Sequence, residues 1–423
     1  MNDLLDELTW RGLLAESTDR AELARHLDAG PVSFYVGFDP TAASIHFGNL
    51  VQLMVARLFQ AAGHRPYLLV GGSTGLIGDP KQTSERSLNP AELVAGWVER
   101  IRAQVSRFVS FTGPNAATIV NNYDWTATLG TLDFLRDVGK HFSVNRMLAR
   151  DVVRNRLESG ISYTEFSYVL LQALDYRELF RRHQVTLQTG GSDQWGNLTA
   201  GVELIRRCDG ARVHALATPL LTKADGTKFG KTESGTIWLD PEMTSPYAFH
   251  QFFLSAEDSM VGTYLRVFSP RSREEIEDLE RQTREAAHLR AAQRALADDV
   301  TDLVHSVADR KAAVSAAAAL FGQGDLGSLP ADVLRAAARE VGVATIPSLN
   351  GLTIPQALHS AGVVPSLSAG RRAVAEGGAY LNNVRVSDPG YELGAGDLLA
   401  GDHVVLRRGK RTVGILRIGS DKG

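Results

Sequence analysis

Up to about Leu221 the chain alternates short apolar runs of β-forming residues with longer stretches whose apolar positions recur every three or four residues. Val32 to Val36 reads as a strand, Leu50 to Phe59 as a helix with its apolar face at Leu50, Leu53, Met54 and Leu58, and Tyr67 to Val70 as the next strand. Asn89 has the residue type of a helix cap and Pro90 that of a first helical position, with the helical period running toward Phe108. Thr118 to Val120, Val185 to Leu187 and Val213 to Ala217 supply further strands, with helical segments between them. This alternation predicts an α/β fold with a parallel sheet covered by helices on both faces. Ligands of such sheets bind beyond the carboxyl ends of the strands, at a switch in strand order. Tyr35, Gly71-Gly72 and Gln188 to Gly191 fall at such ends.

From Ser245 to about Val341 the β signals vanish. Arg271 to Val307 is charged, alanine-rich and helix-periodic, and Ala312 to Phe321 and Ala331 to Val341 continue in that manner. Gly342 to Leu352 contains Gly, Pro and Asn without a clear period and reads as a linker. A small mixed domain follows, punctuated by Gly377-Gly378, Asn382-Asn383 and Asp388-Pro389-Gly390. The expected domains are therefore 1–235, 236–345, a linker at 346–352, and 353–418.

Composition narrows the picture without deciding it. A length of 423 residues calls for more than one core, and 44% hydrophobic with 22% charged residues is ordinary for a globular chain. The net charge of -3 argues against a general polyanion binder, yet positions 353–423 carry nine Lys/Arg against six Asp/Glu, so that end is +3 and the remainder -6. A single cysteine, Cys208, excludes a disulfide framework and any multi-cysteine zinc site. Asp3, Asp6 and Glu7 do not fit a secretory signal, and no apolar run approaches the ~20 residues of a spanning helix. The expectation is a cytoplasmic location with no protein-bound structural metal.

Three polar constellations carry candidate chemistry. Gly37-Phe38-Asp39-Pro40-Thr41 runs into His46-Phe47-Gly48-Asn49 at a strand-to-helix turn, where free N–H groups and the positive helix end suit a triphosphate. Tyr168, Gln172 and Asp175, spaced i, i+4 and i+7, form one narrow polar stripe on an otherwise apolar helix, so the helix is expected to be buried with its stripe lining a cavity. Gly226-Thr227-Lys228-Phe229-Gly230-Lys231-Thr232 comes within one residue of a phosphate-binding P-loop. That reading is disfavoured, because only three spacers precede Gly-Lys-Thr and a loop-like Glu233-Ser234-Gly235-Thr236 follows instead of a helix.

His46 to Asn49 and Lys228 to Thr232 resemble the HIGH and KMSKS signatures of class I aminoacyl-tRNA synthetases, and Gly191-Ser192-Asp193-Gln194-Trp195-Gly196-Asn197 resembles the segment carried by bacterial tyrosyl-tRNA synthetases. Thr353 to Arg417 is similar to a small RNA-binding module shared by a ribosomal small-subunit protein and those synthetases. The resemblance implies a Rossmann-like catalytic domain, an α-helical domain on the anticodon side, an α+β RNA-binding domain and a homodimer. It also implies activation of L-tyrosine by ATP with Mg2+, then transfer to tRNA(Tyr).

By the same resemblance, His46, Thr41, Lys228, Lys231 and Thr232 serve catalysis on the phosphates. Tyr35 and Asp175 meet the substrate phenol; Asp79, Tyr168 and Gln172 hold its ammonium; Gln194 lies near its carboxylate and Gln188 shapes the pocket. Gly37, Asp39, Gly48, Asn49, Asp193, Lys81, Arg86 and Lys231 belong to the ATP site, with Asn49 standing where most members have a second histidine. Arg371, Arg372, Arg407, Arg408 and Lys410 contact RNA. The tryptophanyl relative is the alternative enzyme. A non-enzymatic RNA binder with a dead synthetase domain should have lost the lysines or the stripe, and this chain keeps both.

Overall fold

The structure is a computed structural model that describes residues 3–80, 88–222, 226–227, 229–232, 235–410 and 412–419, with the backbone alone at 231–232. Two compact units emerge: Met1–Met243 with Glu257–Ala292, and Thr244–Ala256 with Gln293–Gly423.

In the first unit the strands are β1 (Glu16–Ser17), β2 (Ser33–Phe38), β3 (Arg65–Val70), β4 (Thr118–Asn121), β5 (Val185–Gly191) and β6 (His214–Thr218). They form one sheet in the order β1-β6-β5-β2-β3-β4. All neighbours are parallel except β1, which pairs antiparallel with β6. Phe34, Tyr35, Val36 and Phe38 are all buried, as expected for a central parallel strand covered on both faces. Two-residue β1 escapes sequence reading because Glu16-Ser17 has no period to detect. The strand order turns between β2 and β5: β3 and β4 extend to one side of β2, and β6 beyond β5 to the other. This is the predicted switch point.

The helices behave as their sequences suggest, with small shifts at the ends. His46 caps the Phe47–Ala61 helix. Pro90, rather than Asn89, caps the helix over Ala91–Val105. Tyr163–His183 begins at Ser162, whose hydroxyl accepts from the Glu165 N–H, and ends at Gln184 in the left-handed region with φ 53°. After β6 come β7 (Lys231–Thr232) and β8 (Gly235–Thr236), a short antiparallel hairpin.

The second unit is helices on one sheet. Strands β9 (Val343–Ile346), β10 (Ala379–Leu381), β11 (Val384–Arg385), β12 (His403–Arg408) and β13 (Thr412–Ile418) lie in the order β11-β10-β12-β13-β9. Strand alternation sends Val404, Leu406 and Leu416 to a core with Ile354, Leu358 and Val374, and sends Val405 and Ile415 to a core with Tyr247, Ala316, Leu320 and Leu334. The stretch 342–352, read as a linker, therefore needs correction: it holds β9, paired parallel with β13. Four residues without a turn signal show no period, and only the distant partner makes them a strand.

Candidate active site

The site begins where β2, β4 and β5 end. Tyr35 on β2 stands beside Gln188 on β5, and its ring lies 5.3 Å from that of Tyr176. Asp175 projects from the Tyr163–His183 helix and is only 3% exposed. Its two carboxylate oxygens accept one bond each, from the Asn122 side-chain amide at 2.9 Å and from the Trp125 indole N–H at 2.9 Å. Burial drives its pKa up to about 7, against the opposing pull of those two donors. Burial and the nearby Asp175 charge likewise push the Tyr35 phenol far above its ordinary value. Tyr35 Oη on this floor, Gln188 Oε1 at the paired position on β5 and Gln172 Oε1 on the Asp175 helix are buried without a hydrogen-bond partner. Buried polar atoms in this state are what a polar ligand atom would satisfy.

Above the floor, two carboxylates are held by networks. Asp39 accepts from the Tyr168 phenol at 2.6 Å and from the Thr74 hydroxyl at 2.6 Å. Asp79 accepts from the Gln194 amide at 2.9 Å and from the Asn197 amide at 3.3 Å, while Asn197 also donates to Gln194 Oε1 at 2.7 Å. Arg150 Nη2 donates to Asn197 Oδ1. Space for these contacts comes from glycine: a Cβ on Gly71 would stand 2.1 Å from Asp39 Oδ1 and 2.2 Å from Thr74 Oγ1. Gly37 is exposed at the end of β2, and Asp193 is exposed on the turn after β5.

The phosphate-facing half is assembled from two distant stretches of chain. The Phe47 N–H donates to Ile237 O at 2.9 Å and the Leu239 N–H to Ile45 O at 3.1 Å, flanking a bridge between His46 and Trp238. Phe229 stacks on Tyr264 at 3.8 Å and meets the Phe47 ring edge-on at 5.1 Å. Gly230 adopts φ +93° with its Cβ position 3.0 Å from Phe47. Thus β7, with Lys231 and Thr232, is tethered beside the His46 turn, and a hairpin rather than a helix follows it, unlike a P-loop. Exposed Thr41 donates its N–H to Asp39 O at 2.9 Å. A Cβ on Gly48 would lie 2.8 Å from the His46 ring, so a side chain there would displace the imidazole. Asn49 accepts from the His46 N–H through its side-chain oxygen at 3.2 Å, so it caps the turn. Lys81, Arg86 and Lys228 lie outside the described residues.

Sequence reasoning missed Thr74, Asn122, Trp125, Arg150 and Asn197. Asn122 was within reach of the same strand-end rule, since it follows β4 directly. The others become polar partners only through folding.

In the second unit Arg371, Arg372, Arg408 and Lys410 are exposed. Arg407 departs from expectation: it is 6% exposed, its guanidinium lies 4.1 Å from the centre of the Tyr380 ring, and it donates to Gly409 O. Alternation along β12 puts it on the same face as Val405, which is buried against Ala316, Leu320 and Leu334. Asn382 and Asn383 form the expected hairpin turn with φ 48° and 67°, but their side chains bond to Asp397 O and to Ala319 O within the unit.

A family model for class I tRNA synthetases (W and Y) matches residues 27–322, and one for the tyrosine–tRNA ligase SYY-like C-terminal domain matches 334–415. The chain belongs to the class I tRNA synthetases of the tryptophan and tyrosine type. It is 64% identical to the tyrosine–tRNA ligase of Cutibacterium acnes, covering 98% of this chain and 100% of that relative. The tyrosine–tRNA ligase of Kineococcus radiotolerans is 58% identical, with 98% of each chain covered. A C-terminally truncated mitochondrial tyrosyl-tRNA synthetase of Aspergillus nidulans superposes with a TM-score of 0.67 at 29% identity, over 73% of this chain and 92% of that one. The activity is that of a tyrosine–tRNA ligase: L-tyrosine and ATP give tyrosyl-adenylate and pyrophosphate, and the tyrosyl group passes to tRNA. The tryptophanyl alternative is set aside by the 64% and 58% identity to tyrosine–tRNA ligases over nearly the whole chain and by the C-terminal domain model.

Proposed function

We propose that the floor of the site selects tyrosine by its phenol, with Tyr35 and Asp175 as the two groups that meet the hydroxyl. The observation that carries this reading is Asp175, buried, aimed by Asn122 and Trp125, and set beside the unpartnered Tyr35 hydroxyl. Phenylalanine would leave buried polar groups unpaired, a form of discrimination for which tyrosyl-tRNA synthetases are the standing example. Gln188 completes the pocket. Asp79, Tyr168 and Gln172 hold the ammonium, Gln194 lies toward the carboxylate, and Asp39 acts through Tyr168 and Thr74 to set their positions.

The tyrosine carboxylate attacks the α-phosphorus of MgATP; the new oxygen–phosphorus bond forms as the bond to pyrophosphate breaks. The nucleophile is already ionised, so the protein supplies positioning and charge stabilisation rather than a base. His46 and Thr41 donate to the phosphates at the helix end, Lys228, Lys231, Lys81 and Arg86 neutralise the departing pyrophosphate, and the Thr232 hydroxyl donates to it. Gly37 and Gly48 give the nucleotide room, Asn49 holds the His46 turn, and Asp193 binds the ribose. In the second step a terminal ribose hydroxyl of tRNA attacks the carbonyl carbon and AMP leaves.

Residues 1–235 form the catalytic domain in this reading, 236–345 the helical domain and 353–418 an RNA-binding domain whose exposed Arg371, Arg372, Arg408 and Lys410 face phosphates. A homodimer in the cytoplasm is proposed as well, supported by exposed Leu132, Val144, Leu157 and Tyr163. The deciding experiment is tyrosine-dependent ATP–pyrophosphate exchange by Asp175→Ala, with phenylalanine as competitor. Weakened preference for tyrosine is expected; an unchanged ratio of the two activation rates overturns the assignment.

A further inference from the structure

We infer that Arg150 is a positioning residue for tyrosine: by donating to Asn197 it fixes the polarity of the bonds that hold Asp79 and Gln194. The inference rests on the reading that Asp79 and Gln194 meet the substrate's ammonium and carboxylate. An asparagine amide can present either its oxygen or its nitrogen to a neighbour, and the two ends are nearly the same size. Arginine can only donate. With Arg150 Nη2 on Asn197 Oδ1, the amide nitrogen must face the other way, where it donates to Asp79 Oδ1 at 3.3 Å and to Gln194 Oε1 at 2.7 Å. Gln194 is thereby oriented too, since its oxygen is engaged and its nitrogen is left to donate to Asp79 Oδ2 at 2.9 Å. The guanidinium at one end and the carboxylate at the other agree on the direction of all three bonds, and both Asp79 oxygens receive donors. Reversing the amide would set its oxygen against a carboxylate and against a second carbonyl oxygen.

A second feature points the same way. Arg150 lies against the first turn of the Trp195–Asp209 helix, where the helix dipole disfavours a cation. A Cβ on Gly196 in that turn would stand 3.4 Å from Arg150 Nε, in ordinary contact, so the guanidinium packs directly against the turn. The chain keeps the arginine at a costly place beside Asp79, opposite in charge.

The test is pyrophosphate exchange with Arg150→Met, Asn197→Asp and Asp79→Ala, reading KM for tyrosine, KM for ATP and kcat separately. Arg150→Met is expected to raise the tyrosine KM about tenfold, as for loss of one hydrogen bond to a charged group, with the ATP KM and kcat within about twofold. Arg150→Lys should recover most of that loss. Asn197→Asp keeps its shape and its acceptor for Arg150 but cannot donate, and should raise the tyrosine KM at least as much without moving the ATP KM. The tyrosine-to-phenylalanine ratio should not change, because Asp175 is untouched. If Asp79→Ala raises the tyrosine KM but Arg150→Met and Asn197→Asp do not, the inference is overturned while the ammonium reading stands. Equal losses in both KM values and kcat would make Arg150 merely structural, also overturning it. An unchanged tyrosine KM in Asp79→Ala removes the reading beneath.

Discussion

At Asp175 two pulls oppose each other. Two N–H donors favour the carboxylate, while burial favours the acid, and the outcome is a pKa of about 7 where an ordinary aspartate has 3.8. The ionised form alone can accept from Asn122, Trp125 and a phenol together. Accordingly, kcat/KM for tyrosine should rise with pH through a free-enzyme ionisation near 7, and Asp175→Asn should remove that limb from the profile. Linkage gives the sign for stability: the folded chain keeps this proton up to about pH 7, whereas the unfolded chain releases it near 3.8. The contribution of Asp175 is thus complete below about pH 4 and is lost as pH rises through 7. Thermal melts of Asp175→Asn should therefore gain on the parent chain across that window. At the other end of the site, His46→Ala should slow adenylate formation by ~10²–10³-fold, the range for losing one transition-state donor, with tyrosine binding almost unchanged. Pyrophosphate exchange at the parental rate would take His46 out of the mechanism. His46 and Asp175 stood out by type and spacing and Tyr35 by its place near a strand end, while the roles expected of them came from the family resemblance. The capping bond of Asn49 and the inward turn of Arg407 were not, since they depend on what faces each side chain.

Among the elements, the Tyr163–His183 helix shows how a pattern becomes a wall. Its stripe residues Tyr168 and Asp175 are buried and hydrogen-bonded to polar side chains from other elements, but its start is anchored by something the stripe does not reveal. Arg156 and Glu165 pair at 3.0 Å with side chains 3% and 1% exposed. Breaking a buried pair strands a charge, so Glu165→Gln should destabilise the chain by about 3 kcal/mol or more, read as a lowered urea midpoint. A midpoint equal to the parent's would mean the pair contributes nothing net. The 229–239 segment offers the complementary case. Lys231 within it and Lys228 just before it announced a phosphate role, whereas the aromatic tether of Phe229 to Phe47 and Tyr264 that brings it to the His46 turn joins residues far apart in the chain. Replacing Gly230 by alanine puts a methyl group 3.0 Å from Phe47 at a left-handed φ. Pyrophosphate exchange should fall while tyrosine binding holds; equal exchange would show that the tether does not govern the loop.

For the whole molecule the C-terminal sheet is less separable than its sequence suggested. Its boundary belongs before Val343, because β9 pairs with β13, and Val405 and Ile415 cover Ala316, Leu320 and Leu334 on the neighbouring helices. Cutting the chain at 352 would remove the partner of β9 and expose that apolar face. A chain ending there should still activate tyrosine but fail to charge tRNA, and its remaining helices should melt earlier than in the intact protein. Full charging by the truncated chain would rule out an RNA-binding role for residues 353–418. The alternation of strands and helices, the switch point, the polar stripe and the paired phosphate motifs were all set by the sequence itself, because periodicity and local residue chemistry act over a few positions. Tertiary structure alone decided that Asn122 and Trp125 donate to Asp175, that Arg150 meets Asn197 and Asn197 meets Asp79, and that Val343–Ile346 is a strand. Each of these needs a partner from a distant part of the chain, and no local pattern records which groups folding will place within hydrogen-bonding reach.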